Sequence, residues 1–227
     1  MKAVLEAICT GKAAAFRGEE KSAFVKAPRD GAVKIGALGI AGDEQADPVN
    51  HGGIDMAVHH YPRDHYSWWE GALEGHELLA QVPAFGENLV ITGMTEAEVH
   101  IGDRFRLGSA LLELSQPRQP CWKIEHRFGR KGMVKQIMQQ HNCGWYYRVI
   151  KEGEARAGDT LERTAIGHKE WSVARLFAKL YDKRDPATLD DLREIAALDK
   201  LCSLWRTKVQ AAVDACLLYT SPSPRDS

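Results

Sequence analysis

Apolar and polar residues alternate in short segments along the first part of the chain, and glycine, proline or aspartate separates each segment from the next. Alternation with a period of two is typical of strands with one buried face. Many strand-sized segments at close spacing indicate a β-barrel or a folded-over sheet, so we predict a mainly β (α+β) fold. The predicted strands are Lys2–Cys9, Ser22–Lys26, Ala32–Leu38, Asn88–Thr92, Glu98–Ile101, Arg104–Leu107, Ala110–Ser115 and Trp145–Ile150.

Two segments inside this region follow the helical period instead. The first runs from Arg63 to about Leu79, directly after Pro62, and is rich in aromatic residues. The second, Lys131–His141, repeats its apolar residues at the spacing of one helix face. We therefore predict two helices that interrupt the strands of a β domain spanning residues 1–164.

After Thr164 the helical period occurs three times in succession, which predicts a three-helix domain over residues 165–215. Thr188 and Asp191 have the spacing of a capping box at the start of the second helix. A unit of this size buries too little surface to be stable alone, so we expect it to pack on the β domain.

The last segment, residues 216–227, departs from the helical pattern and ends in alternating serine and proline. Such composition is typical of a disordered tail. The same string resembles translated sequencing-adapter DNA, which would make it non-native. We therefore leave the tail and its Cys216 out of functional reasoning.

Composition and charge are those of an ordinary folded protein. Apolar residues make up 44% of the chain, charged residues 27%, and the formal net charge is -1. A balanced charge supplies no basic field, so a nucleic-acid polymer is not expected as a partner. The N-terminus lacks the apolar run of a signal peptide and no segment has membrane-spanning length, so we expect a cytoplasmic protein that does not enter a membrane.

Cys121 is the most distinctive candidate for chemistry among five cysteines that form no C-x-x-C pair. Two prolines restrict the backbone just before it, and it begins a segment compatible with a helix. Positive charges at Arg118 and Lys123 favour the thiolate over the thiol. From the residues alone, a reactive or metal-binding thiolate and an inert buried thiol are both open at this position.

A glycine-rich stretch forms the second candidate. It comprises the segments Gly39–Asp43 and His51–Pro62, and such loops let backbone N–H groups approach an anionic ligand. The spacings of nucleotide-binding loops are missing. Its imidazoles and carboxylate are also acceptable zinc ligands, although without H-E-x-x-H spacing we favour histidines that hydrogen-bond within the loop. The zinc candidates are His51, Asp55, His59, His60 and His65.

The third candidate, Phe85–Leu89, brings the carboxylate of Glu87 and the amide of Asn88 to the start of a predicted strand. An asparagine side chain donates and accepts hydrogen bonds at once, which suits the edge of a heterocycle. The same residues are typical of an ordinary turn, so both interpretations remain.

Several motifs follow one another in a fixed order along the chain. They are Gly42-Asp43, His51-Gly52-Gly53-x-Asp55-x-Ala57-Val58, Tyr61-Pro62, Phe85-Gly86-Glu87-Asn88-Leu89, Ile101-Gly102-Asp103 and Ser115-Gln116-Pro117-Arg118-x-Pro120-Cys121. This order resembles MOSC domains, which are related to the C-terminal part of molybdenum cofactor sulfurase, and is most similar to the YiiM type of N-hydroxylaminopurine resistance proteins. The resemblance covers about Met1 to Ala215. It implies a MOSC-type β-barrel, related to the pyruvate kinase insert barrel, followed by a three-helix domain.

The resemblance also implies a ligand, the molybdenum cofactor (molybdopterin), with Cys121 as the molybdenum-binding residue. A soft thiolate suits molybdenum, and Arg118 suits an anionic cofactor. By resemblance, Glu87 and Asn88 lie near the pterin. The reaction also needs a proton donor, for which Asp55, Glu87 and the pocket histidines are all candidates. The cofactor-binding candidates are His51, Gly52, Gly53, Asn88, Arg118 and Cys121, and the catalytic candidates are Cys121, Asp55 and Glu87.

The activity implied by the resemblance is reduction of N-hydroxylated compounds, such as N-hydroxylated purine bases, to amines and water. No flavin or nicotinamide motif is visible, so the two electrons are expected from a separate flavoprotein or another redox protein. Two alternatives stay open. One is a sulfur carrier or sulfur-transfer protein with a persulfide on Cys121, and the other is a non-catalytic protein that only binds the cofactor.

Overall fold

The computed structural model describes residues 1–47 and 52–220, and the side chains of residues 1–47 and 52–217. The strands are β1 (Lys2–Thr10), β2 (Ala14–Arg17), β3 (Glu20–Ser22), β4 (Ala27–Pro28), β5 (Val33–Gly36), β6 (Gly39–Ile40), β7 (Val58–His60), β8 (Leu89–Ile91), β9 (Arg104–Leu107), β10 (Ala110–Pro117), β11 (Trp145–Lys151), β12 (Gly153–Ala155) and β13 (Thr160–Ala165). The helices are α1 (His65–Ala72), α2 (Trp122–Phe128), α3 (Met133–Gln140), α4 (Val173–Tyr181), α5 (Leu189–Ala196) and α6 (Ser203–Thr220).

Within the described residues, seven strands close into a barrel in the order β13, β9, β10, β11, β7, β8 and β1, and β1 pairs back with β13. Neighbouring strands run antiparallel except β7 and β8, which are parallel. Closure pairs the backbone groups that an open sheet would leave at its edges. The predicted mainly β fold with a barrel is confirmed.

Apolar side chains at alternate positions of the strands fill the barrel interior, as β9 illustrates. Phe105 and Leu107 are fully buried, whereas Arg106 between them is exposed. The ring of Phe105 meets Tyr147 of β11 edge-on, with ring centroids 5.7 Å apart. The polar and apolar pattern that predicted Arg104–Leu107 as a strand therefore also decides which side chains form the core.

Two predicted strands are wrong. In the segment Ser22–Lys26, β3 ends at Ser22 and the chain then takes an irregular path that lines a cavity. The segment Glu98–Ile101 forms no strand, because its backbone groups bond to the C-terminal helical region instead: Ile101 N–H donates to Trp171 O, and Val99 O accepts from Val173 N–H. Of this segment, His100 makes an isolated bridge.

The first predicted helix is shorter than expected. Helix α1 ends at Ala72, because Glu74 and Gly75 adopt positive φ angles of 53° and 73° and turn the chain. A separate 3-10 turn follows over Glu77–Ala80. The second predicted helix is confirmed as α3.

The three predicted C-terminal helices are confirmed as α4, α5 and α6, and the capping box of Thr188 and Asp191 is present at α5. Helix α6 continues to Thr220, so the expectation that the helical pattern ends at Ala215 is wrong. No proline lies between Ser203 and Pro222 to interrupt this helix. Residues 221–227 of the predicted tail lie outside the described residues. None of the described helices is both long enough and apolar enough to cross a membrane.

Candidate functional site

A cavity lies beside Cys121 where several barrel loops converge. Its wall combines the irregular segment after β3, the loop after β6, strand β7 and the segment between β10 and α2. The side chains that matter most for its chemistry are Lys26, Asp43, His59, Arg118, Cys121 and Tyr146.

Cys121 reaches this wall because β10 ends at Pro117 and the chain must turn before α2. Arg118 N–H donates to Gly144 O at 2.9 Å, which ties the turn to the residue just before β11. Cys121 then occupies the position before the first residue of α2 in extended backbone, with φ -133° and ψ 169°. Its side chain is partly exposed. The prediction that a helix starts at Cys121 is confirmed.

Arg118 is a buried cation, with 4% of its surface exposed. Its Nη1 atom is buried and has no hydrogen-bond partner among the described residues. The guanidinium lies 5.9 Å from the ring centroid of Phe24, and its positive charge acts on the hydroxyl of Tyr146. Because a buried donor without a partner is costly, the free Nη1 suits an anionic or carbonyl oxygen of a bound molecule.

Lys26 and Asp43 form a second charged group on the wall. Lys26 Nζ lies 2.6 Å from Asp43 Oδ2, and the exposed fractions of the two side chains are 8% and 12%. The same carboxylate accepts hydrogen bonds from Gly11 N–H at 2.7 Å and from Asn88 Nδ2 at 2.9 Å. With these partners the loop after β6 is held against the end of β1 and the start of β8.

Asn88 joins three parts of the barrel. Besides bonding to Asp43, its Nδ2 donates to Cys9 O at 3.0 Å, and its Oδ1 accepts from His59 N–H at 2.9 Å. Both amide protons are therefore used inside the protein. Asn88 does line the cavity, but its observed role is to hold the wall, and the predicted contact with a pterin stays a prediction.

Glu87 points into the core and does not line the cavity. It is fully buried, accepts a hydrogen bond from the hydroxyl of Tyr66, and accepts one from Phe85 N–H at 2.9 Å. Burial raises the pKa of Glu87 above its usual value. Next to it, Gly86 has a φ of 79°, and a Cβ there would lie 3.2 Å from the ring of Phe24, so this turn needs glycine.

Asp55 likewise faces away from the cavity. Its Oδ1 accepts from Arg148 Nε at 2.7 Å, and its backbone oxygen accepts from Ser115 Oγ at 2.6 Å. Gly53 adopts a φ of 93°, and a Cβ on it would meet nothing within 4 Å, so backbone conformation rather than close approach explains this glycine. Gly52 is buried. His51 lies outside the described residues.

Of the predicted site residues, the structure brings Asn88, Arg118 and Cys121 to one cavity, whereas Asp55 and Glu87 are engaged elsewhere. We therefore correct the expectation that these two carboxylates share the pocket with Cys121. Sequence reasoning assigned no role to Lys26 or Asp43. The Gly42-Asp43 motif was a signal for Asp43, but Lys26 lay in a segment taken for a strand.

His59 and His60 lie on opposite faces of β7, as strand geometry requires. The ring of His59 lines the cavity and packs on Tyr146, with centroids 4.9 Å apart. The ring of His60 lies in the core, 4.2 Å from the ring of Trp145. Among the described residues, no three His, Cys, Asp or Glu side chains form a group that could hold a metal ion, which lends no support to the zinc interpretation.

His60 should make the fold sensitive to acid. Burial lowers its pKa from 6.5 to about 3, so the folded state favours the neutral ring. The neutral ring of His60 therefore costs the folded state nothing above pH 6.5. As the pH falls from 6.5 towards 3, the free energy of unfolding decreases, because only the unfolded chain then binds the proton. Between pH 7 and pH 5 the loss is about 2 kcal/mol.

The variant His60→Phe is neutral at every pH and tests this expectation. Urea unfolding of the wild-type protein and the variant at several pH values should show a decrease from pH 7 to pH 5 that is smaller in the variant by about 2 kcal/mol. The comparison concerns the change with pH, so a uniform loss of stability in the variant does not affect it. An unchanged pH dependence would contradict the role of His60.

The fold and the site together define a closed β-barrel protein that presents a cysteine side chain to a cavity containing a buried arginine. The family model of the MOSC domain matches residues 47–162. The chain therefore belongs to the MOSC domain family, and the resemblance of its motifs to that family is confirmed.

Three curated proteins are similar to this chain in amino-acid sequence. "Uncharacterized protein YflK" of Bacillus subtilis is 40% identical over 197 residues, which is 87% of either chain. "Protein YiiM" of Escherichia coli is 41% identical over 155 residues, 68% of this chain and 69% of that one. A protein named "Reductase" from Gibberella moniliformis is 41% identical over 163 residues, 71% of this chain and 29% of the fungal protein.

The crystal structure of Escherichia coli YiiM matches over nearly the whole chain. The superposition covers 95% of this chain and 94% of the other, with a TM-score of 0.78 and 29% identity over that longer alignment. With the sequence match, it supports a YiiM-type MOSC protein, in which a barrel is followed by a helical C-terminal part.

Proposed function

We propose that the protein is a molybdenum cofactor-dependent reductase of N-hydroxylated compounds, including N-hydroxylated purine bases. The observation that carries the proposal is the presence, in one cavity, of the Cys121 side chain and of the Arg118 Nη1 atom, which has no hydrogen-bond partner among the described residues. The match to a fungal protein named "Reductase" supports an oxidoreductase role.

The residues present fit the molybdenum cofactor. A thiolate at Cys121 is a soft ligand for molybdenum, and the open donor of Arg118 suits an anionic oxygen of the cofactor, with Lys123 as a second cation on the same wall. When bound, the cofactor supplies a metal centre that can take part in two-electron cleavage of an N–O bond. In the proposed reaction R–NH–OH, two electrons and two protons give R–NH2 and water.

The protein's own contribution is to orient the substrate and to provide hydrogen bonds. Asp55 and Glu87 are engaged with Arg148 and Tyr66, so we do not assign them to proton transfer. Burial raises the pKa of Tyr146, so its hydroxyl stays neutral and can donate a hydrogen bond to the N–O oxygen. We propose that the two protons come from water in the cavity.

Metal analysis of the freshly purified protein tests the proposal directly. We expect molybdenum close to one atom per chain, together with turnover of an N-hydroxylated purine. Protein that carries thiol-labile sulfur and no molybdenum, after expression in cells that make the cofactor, would contradict the proposal and favour the sulfur-carrier alternative.

The electrons should come from a separate redox protein, for which we propose a flavoprotein reductase. With NADH or NADPH alone the purified protein should not reduce an N-hydroxylated purine, whereas dithionite or an added flavoprotein reductase should support turnover. Anaerobic assays that follow the amine product by chromatography measure this. Turnover with NADPH alone would show that the external donor is unnecessary.

A further inference from the structure

His59 has a fixed protonation pattern. Its Nδ1 lies 3.1 Å from Gly86 O, and the residue is 5% exposed. Because a carbonyl oxygen can only accept, Nδ1 must carry the proton of the neutral ring. The other nitrogen, Nε2, is therefore an acceptor.

This acceptor has nothing to accept from within the described part of the chain. His59 Nε2 is buried and has no hydrogen-bond partner there, although the ring belongs to the wall of the Cys121 cavity. Protonation of Nε2 does not remove this unsatisfied acceptor at neutral pH, because the pKa of the ring is too low. Burial and the positive charges of Arg118 and Lys26, with a smaller effect of His60, lower the pKa of His59 well below its ordinary value.

The same wall offers the opposite kind of atom. Nη1 of Arg118 is a buried donor without a partner among the described residues, and the ring of Tyr146, which also lines the cavity, packs on that of His59. Two unsatisfied polar atoms of opposite type beside one cavity are expected to be satisfied by what binds there.

We propose that His59 is a specificity residue: its Nε2 accepts a hydrogen bond from an N–H or O–H group of the molecule bound beside Cys121, while Arg118 binds an oxygen of the same molecule. The inference rests on the proposed function, because the N–H or O–H group belongs either to the N-hydroxylated substrate or to the pterin of the cofactor. Both offer the same chemistry, a donor next to an acceptor on one edge.

Histidine 15N chemical shifts report directly on this hydrogen bond. In one arm, cofactor-free protein is titrated with 6-hydroxylaminopurine; in the other, cofactor-loaded protein is recorded without substrate. A shift of the His59 Nε2 signal in the first arm assigns the contact to the substrate, and a shift only in the second assigns it to the cofactor. No shift in either arm would overturn the proposal.

His60 provides an internal control in the same spectra. Its Nε2 is also buried and without a partner in the described region, but its ring lies in the core on the other face of β7. The His60 Nε2 signal should stay in place when the His59 signal moves. Equal shifts of both signals would indicate a general change of the barrel and would count against a contact at His59.

Two variants give a second readout. His59→Leu should weaken binding of whichever molecule moved the Nε2 signal by about tenfold, because one hydrogen bond to that molecule is lost. His59→Gln keeps an acceptor and should recover most of that affinity. If His59→Leu keeps wild-type affinity for both molecules, the inference fails, while molybdenum retention and turnover would leave the proposed function intact.

Discussion

Replacement of Cys121 by serine is expected to abolish molybdenum retention and N-hydroxy reductase activity while the fold stays nearly as stable as before. A serine hydroxyl is not ionised at neutral pH and is a poor ligand for a soft metal. Removal of groups that merely orient metal ligands costs about 10 to 100-fold, so loss of the ligand itself should exceed about 100-fold in retained metal. The side chain is partly exposed, so its truncation leaves no large core cavity.

Metal analysis, an activity assay and urea unfolding of the same preparation measure the effect. Cys216→Ser is the matched control, because Cys216 is exposed and lies outside the cavity lining. It should retain wild-type molybdenum and activity. Full activity or full metal content in the Cys121→Ser protein would remove Cys121 from the proposed site.

Truncation of the chain after Ala165 is expected to prevent stable folding of the barrel. Strand β10 and the segment before β9 use the C-terminal region as a partner: Ile101 N–H donates to Trp171 O at 3.1 Å, and Ser115 O accepts from Cys202 N–H at 3.0 Å. Trp171 is almost fully buried. Loss of these helices would expose apolar barrel surface, at a free-energy cost of about 25 cal/mol per Å², and would leave buried backbone groups unpaired. The free energy of unfolding of a whole domain is only about 5–15 kcal/mol, so these costs are enough to prevent stable folding.

Soluble yield, circular dichroism and thermal unfolding of the truncated protein test this expectation. A truncation after Ala215 is the control, because it removes only the segment 216–227 and should fold. A stable, molybdenum-loaded barrel in the shorter protein would contradict a structural role for the helices. If that barrel also worked with dithionite but not with a flavoprotein reductase, the helical region would instead be the docking site for the electron donor.

Local pattern was sufficient for much of the architecture. The segment Arg104–Leu107 follows from alternation alone, and the Thr188 capping box from a spacing of three residues, because both features depend on contacts within a few residues. The ordered motifs also indicated the family. The prediction of a strand at Glu98–Ile101 is wrong because the backbone partners of this segment lie far away in the chain, and the local pattern carries no information about them.

The sequence by itself indicated a barrel or a folded-over sheet, with the barrel favoured by the resemblance to MOSC domains, and it placed Cys121 at the start of a helix next to a cationic turn. Only the tertiary structure decided which polar side chains join it. Glu87 turns to Tyr66, and Asp55 pairs with Arg148, 93 positions further along the chain, so two residues expected in the pocket are engaged elsewhere.

The two histidines of β7 illustrate most simply what the sequence determines and what only the packing of the fold decides. A period of two requires His59 and His60 to face opposite sides, but it does not say which side is the core. That choice depends on the neighbouring strand, where Tyr146 lies opposite His59 and Trp145 opposite His60. Because the direction of a side chain is set by packing between distant segments, the cavity and its unsatisfied atoms emerge only when the barrel closes.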